Sequence, residues 1–153
     1  MPFIYPMANT LGRSKKVGDG SCVALVRFYA DAPDHRRWQA GAKVMDNQSL
    51  AIGTAIATFE GGKYPNKVKG NHAALFLRYA GPGEGFWVMD QWKDRPGQQS
   101  RPVSARQIRP DSRKNADGTW WNTSDNANAF FMSSSQNNEI HFSAGVDDFD
   151  FAR

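Results

Sequence analysis

The chain of 153 residues carries a single cysteine, Cys22. An internal disulfide is therefore impossible, and a cysteine-rich zinc site is excluded. Histidine is nearly as scarce, with only His35, His72 and His141. No apolar run approaches the roughly 20 residues of a membrane-spanning helix, so no membrane insertion is expected. The first residues, Met1-Pro2-Phe3-Ile4-Tyr5-Pro6, lack the basic and then apolar stretches of a secretory signal. Synthesis in the cytoplasm is expected, with any export by another route. No helix-turn-helix, RNA-recognition or zinc-finger pattern is present, and nucleic acid is not an expected partner.

What is there suits one folded unit. Hydrophobic residues make up 40% and aromatics 12%, enough to fill a core. The net charge of +4 is unevenly spread: 18 of the 19 basic residues but only 9 of the 15 acidic ones fall within residues 1–115. A basic body followed by an acidic tail attracts polyanions, which include cell-wall polymers. The expected organisation is a single domain over residues 1–132, followed by a polar, acidic tail over residues 133–153.

Gly18-Asp19-Gly20-Ser21 is a turn whose Asp19 or Ser21 can cap a helix. The run from Cys22 to Ala30 reads as that helix, closed by Pro33. A second short helix is expected over residues 34–38. Residues 53–59 carry β-branched side chains and read as a strand, and residues 60–71 as a loop with Lys63, Lys67 and Lys69. The clearest strand runs from His72 to Tyr79. A Gly/Pro turn joins it to a hairpin partner, Phe86 to Trp92. Residues 103–108 and 129–132 are further strand candidates. One early helix followed by antiparallel strands defines an α+β fold.

Cys22 sits at the start of a helix, where free N–H groups and the helix dipole stabilise a thiolate. The same N–H groups suit an oxyanion. From position alone, a reactive thiol and a core cysteine packed with Val23 and Leu25 are equally compatible. His72 opens an apolar strand, where an imidazole can face a cleft, and its ordinary pKa suits a general base. His35 and His141 read as surface histidines. Asp90 ends the hairpin partner strand and can fix the His72 tautomer. Gln91, next along, points to the opposite face. A cysteine followed by a histidine and then a carboxylate is an ordered nucleophile triad.

Gly18-Asp19-Gly20-Ser21-Cys22-Val23-Ala24-Leu25-Val26 resembles the G-x-G-x-C-V-x-L-V nucleophile segment of the NlpC/P60 and CHAP amidases. Gly70-Asn71-His72-Ala73-Ala74-Leu75-Phe76 resembles their G-H-V-A-I-Y histidine strand, and Val88-Met89-Asp90-Gln91-Trp92 their strand bearing the third polar residue. The match covers roughly residues 15–110 and extends, in size, to amidase effectors of type VI secretion systems. Ala73-Ala74 departs from the more usual Val-Ala or Val-Gly, and the third residue varies in the family.

The resemblance implies a papain-like NlpC/P60 fold, with the helix carrying the cysteine packed on an antiparallel sheet. It implies catalysis by Cys22, His72 and Asp90, with Ser21, Asn71, Gln91 and Trp92 as substrate-binding candidates. No metal and no cofactor are expected. The implied substrate is a peptidoglycan peptide, and effectors of this kind pair with an immunity protein. Delivery to the periplasm of a target cell is the expected route. Two other readings fit the residues: a non-catalytic module binding cell wall or polyanion, and a papain-like acyl hydrolase or transferase with another substrate.

Overall fold

The structure is a computed structural model that describes residues 1–135; His141 and most of the expected acidic tail lie outside the described residues. One helix, α1 (Cys22–Ala30), lies against a six-stranded sheet. The strands are β1 (Trp38–Lys43), β2 (Ala55–Thr58), β3 (Ala73–Tyr79), β4 (Phe86–Asp90), β5 (Ser104–Ile108) and β6 (Phe130–Ser135). Their spatial order is β1-β6-β2-β3-β4-β5, antiparallel throughout. No helix among the described residues is long and apolar enough to cross a membrane.

The helix forms where its cap signal stands. Ser21 adopts an extended backbone, and its hydroxyl accepts from the Ala24 N–H at 3.3 Å. Asp19 in turn accepts from the Ser21 N–H at 2.9 Å. Cys22 thus becomes the first helical residue. The helix stops at buried Ala30, because Asp31 turns left-handed (φ 55°).

Strand β3 explains why its sequence is almost continuously apolar: both faces of the sheet are covered. Ala73, Leu75 and Leu77 face α1 and pack with Leu25, Val26 and Trp38. Ala74 and Phe76 face the other way, against Phe86, Val88, Ile108 and Phe130. Short turns carrying Val44, Ala127 and Ala129 cover that second face. Each fully buried large side chain of this kind contributes about 1.5–3 kcal/mol.

Two expectations are corrected. Residues 34–38 form only a single 3₁₀ turn, His35–Arg37, capped by Asp34, and Trp38 already begins β1. The short polar strand β1 gains its order by pairing with β6, not from its own pattern. Strand β6 also runs to Ser135, past the end of the strand expected over residues 129–132. It lies between β1 and β2: Phe130 to Met132 pair with β2, while Ser133 to Ser135 pair with β1 and Ser134 also bridges Pro2, so backbone pairing holds serines of poor strand preference.

Gly85 closes the β3–β4 hairpin at φ 81°, and a Cβ there would collide with the Ile108 carbonyl oxygen on β5. Gly85→Ala is expected to cost about 2–4 kcal/mol through combined strain and collision. A lowered urea midpoint at unchanged m-value is the expected result, and an unchanged midpoint would contradict this close approach.

Candidate active site

Cys22, His72 and Asp90 come together at the end of the sheet where β3 begins and β4 ends. Each is placed by a separate device. Cys22 is fixed by the helix cap. His72 is clamped to the end of β2: its N–H donates to Thr58 Oγ1 at 3.0 Å, and its carbonyl accepts from the Thr58 N–H at 3.0 Å. Asp90 is the last residue of β4, where it pairs with Ser104 of β5.

His72 and Asp90 are fully buried, and His72 Nε2 lies 2.7 Å from Asp90 Oδ2. With Nε2 engaged, the nitrogen left for the thiol is Nδ1, which is buried and has no other hydrogen-bond partner among the described residues. Burial pushes the Cys22 thiol up, but hydrogen bonding with His72 and its positive charge outweigh that. The Ala73 N–H and the Tyr64 hydroxyl act in the same direction, and the thiol falls below its ordinary value. Burial likewise works against an imidazolium, yet the Asp90 hydrogen bond and the neighbouring thiolate raise His72 to about 9. Both shifts move the pair toward thiolate and imidazolium, the reactive form of a cysteine nucleophile.

The indole of Trp92 stacks on the His72 ring, with centroids 4.0 Å apart and planes 8° from parallel. It shields one imidazole face and offers its π-cloud to the imidazolium. Trp92 remains partly exposed and borders a cleft of about 600 Å³ with Lys69, Asn71, Arg95 and Asp125. A second cleft, about 440 Å³, opens beside Ser21, Val23 and His35. Of the loop lysines, Lys69 borders the larger cleft, whereas Lys67 pairs with Glu60 at 2.7 Å.

Three residues expected to bind substrate also make internal hydrogen bonds. The Ser21 hydroxyl caps α1. Gln91 is buried: its Nε2 donates to the carbonyls of Val17 and Ser21 at 3.1 and 2.7 Å, and its Oε1 accepts from the Val17 N–H at 3.1 Å. It braces the loop that aims Cys22. Asn71 Oδ1 accepts from the Lys67 N–H at 2.5 Å, and its Nδ2 donates to the Tyr64 hydroxyl at 3.2 Å. Gln91 is thus buried with its amide paired at both ends, whereas Asn71 and Ser21 are half-buried and border the larger and the smaller cleft.

Tyr64 and Arg106 escaped the sequence reading. The Tyr64 hydroxyl lies 3.8 Å from Cys22 Sγ; since it accepts from Asn71, its own proton is free to point at the sulfur. Burial, then the Cys22 charge, pushes the phenol up, so it stays a donor. Arg106 Nε donates to Asp90 Oδ2 at 2.8 Å. Neither residue sits in a recognisable motif, and only the fold brings them here. His35, read as a surface residue, hydrogen-bonds Asn66 at 3.1 Å and packs edge-on to Trp38 and Tyr64. Among the described residues no group of three or more metal-ligating side chains occurs.

A helix N-terminal thiol facing a histidine and carboxylate on an antiparallel sheet defines the papain-like α+β class of NlpC/P60 type. Within that class the comparisons are specific. A family model described as domesticated amidase effector 2 matches residues 7–132, and the chain belongs to that family. It is 43% identical over 136 residues to a type VI secretion amidase effector 2 protein of Salmonella typhi, spanning 86% of this chain and 98% of that one. A solved structure of a type 6 secretion amidase effector 2 superposes with a TM-score of 0.76 at 40% identity, covering 87% of this chain and 94% of its own.

Because Asp90 supports the protonated imidazole, Asp90→Asn is expected to lower the His72 midpoint from about 9 by at least about one unit, narrowing the thiolate–imidazolium range from its alkaline side. NMR titration of the imidazole reads this directly. Equal midpoints in the two proteins would show that the 2.7 Å contact carries no such coupling.

Proposed function

We propose that this protein is a cysteine amidase that hydrolyses amide bonds in peptidoglycan peptides, and that it serves as an antibacterial effector acting in the periplasm of a target cell. The observation that carries the reading is the buried His72–Asp90 pair beside a helix-capped Cys22 whose thiol is shifted toward the thiolate. Its family membership and its likeness to type VI secretion amidase effectors supply the substrate class.

The Cys22 thiolate attacks the scissile carbonyl carbon, and the carbonyl π-electrons move onto oxygen. N–H groups of the first turn of α1, which a helix leaves without internal acceptors, hold the oxyanion. The Tyr64 hydroxyl stands close enough to Sγ to donate to the sulfur or to the new oxyanion. The His72 imidazolium then protonates the departing amine as the C–N bond breaks, leaving an acyl-thioester on Cys22. Neutral His72 next takes a proton from water, the resulting hydroxide attacks the thioester, and the thiolate leaves. Asp90 holds the imidazole in one tautomer and balances its charge in both halves.

Trp92 and the cleft bordered by Lys69 and Arg95 form one wall for the peptide, whose free carboxylates suit cations at the rim. A cognate immunity protein is the partner that such an effector requires in the producing cell, and blocking this cleft is its simplest mode of action.

Digestion of purified peptidoglycan, with products read by mass spectrometry, tests the reading. The native protein is expected to release new muropeptides, and Cys22→Ala to lower that release by about 10⁴-fold or more at unchanged thermal midpoint. Equal release by both proteins would remove Cys22 from the chemistry. Absence of release from either would remove peptidoglycan as the substrate.

A further inference from the structure

Asp90 receives two cations on one oxygen. His72 Nε2 stands 2.7 Å and Arg106 Nε 2.8 Å from the same Oδ2. The guanidinium continues outward: Nη1 donates to Asp125 Oδ1 at 2.6 Å, and its carbon lies 5.2 Å from the centre of the Trp92 ring that covers His72. Charges of alternating sign thus run from the Cys22 sulfur through His72, Asp90 and Arg106 to Asp125. The inner members are buried, Arg106 is about a quarter exposed, and Asp125 reaches solvent.

We propose that Arg106 is a positioning residue for the proposed reaction: it orients the Asp90 carboxylate and, by competing with the imidazolium for it, sets the pH at which His72 gives up its proton. The proposal rests on Cys22 and His72 being the reactive pair. The geometry supports it in three ways. A guanidinium is planar and permanently charged, so its Nε and Nη1 tie Asp90 and Asp125 at a fixed separation that a lysine cannot reproduce. Strand register puts Arg106 opposite Val88 on β4, two residues from Asp90, so both side chains leave the same face. Trp92, in contact with both the imidazole and the guanidinium, keeps water from weakening their interaction.

The charged and titratable groups around His72 are Cys22 from α1, Tyr64 from the loop before β3, Asp90 from β4, Arg106 from β5 and Asp125 from the turn before β6. Cys22 and Asp90 favour the imidazolium; by Coulomb's law the Arg106 cation on the same carboxylate opposes it, and the Asp125 charge paired with Arg106 moderates that opposition. Removing each therefore shifts His72 in a defined direction.

The experiment is an NMR titration of His72 in the full chain, together with the pH dependence of Cys22 alkylation by iodoacetamide, which reports one site because the chain has one cysteine. Arg106→Gln is expected to raise the His72 midpoint by about one unit, since a cation has been lost beside it. Arg106→Lys keeps the charge and should leave the midpoint near native. Asp125→Asn leaves Arg106 less neutralised and should lower it by a few tenths of a unit. The alkaline inflection in alkylation should move with the midpoint in each case. Native midpoints in a folded Arg106→Gln protein would overturn the proposal. Should that variant fail to fold, Asp125→Asn decides alone, and an unchanged midpoint there overturns it as well. None of these readouts needs a substrate. Shifted midpoints without muropeptide release by the native protein would therefore sink the amidase reading while leaving the Arg106 coupling standing.

Discussion

A carboxylate buried without a counter-charge is among the costliest groups a small domain can hold. Asp90 would be such a group without His72 and Arg106, and much of the architecture is arranged to bring them to it. The carboxylate is fully buried at the end of β4, with a histidine from the start of β3 and an arginine from the middle of β5 on one oxygen. Three adjacent strands must be in register for those two contacts to exist together. The hairpin closed by Gly85 sets one register, and the five consecutive β4–β5 pairs from Phe86 to Asp90 set the other. Removing one partner of such a cluster leaves the others uncompensated, so the site and the sheet are stabilised together or not at all.

Three consecutive residues at the end of β4 do three different things. Asp90 engages His72. Gln91, pointing the other way, spends its whole amide on Val17 and Ser21 and so fastens the glycine-rich turn that launches α1. Trp92 stacks on one face of the buried imidazole and forms the wall of the larger cleft. Cys22, His72 and Asp90, in the proposed function the nucleophile, its base and the base's orienting group, are therefore referred to one short stretch of backbone. That is the economy expected of a preorganised site, where placement within fractions of an ångström governs the rate.

The electrostatics follow from the same geometry. The thiol and the imidazole move each other's proton affinities in opposite directions, toward the charge-separated pair. Such a pair titrates as a unit, and its useful range is bounded by thiol protonation on the acid side and imidazole deprotonation on the alkaline side. The basic residues at the rim lie outside this cluster. Their effect is on encounter with an anionic substrate and not on the chemistry.

The local features of the site were legible in the residues themselves. A Gly-Asp-Gly-Ser turn before an apolar run caps a helix wherever it occurs, because short-range hydrogen bonds decide it. That was enough to put Cys22 at a helix N-terminus. The apolar runs at 73–79 and 86–90, with a Gly/Pro turn between them, were enough to pair His72 with Asp90. The α+β class followed from the same patterns. What depended on distant contacts was out of reach. Strand β1 has no strand-like pattern and exists because β6 pairs with it, some 95 residues later. The serines of β6 are ordered by their pairing with β1. Ser21, Asn71 and Gln91 have the chemistry of ligand-binding residues, and only the tertiary structure showed which internal hydrogen bonds they make. Tyr64 and Arg106 are ordinary residues in loop and strand, brought to the sulfur and the carboxylate by sheet order alone. Local sequence determines where a helix starts and which way a strand faces; which polar groups meet in the interior is settled by the closure of the whole sheet, since only burial makes each of them require a partner.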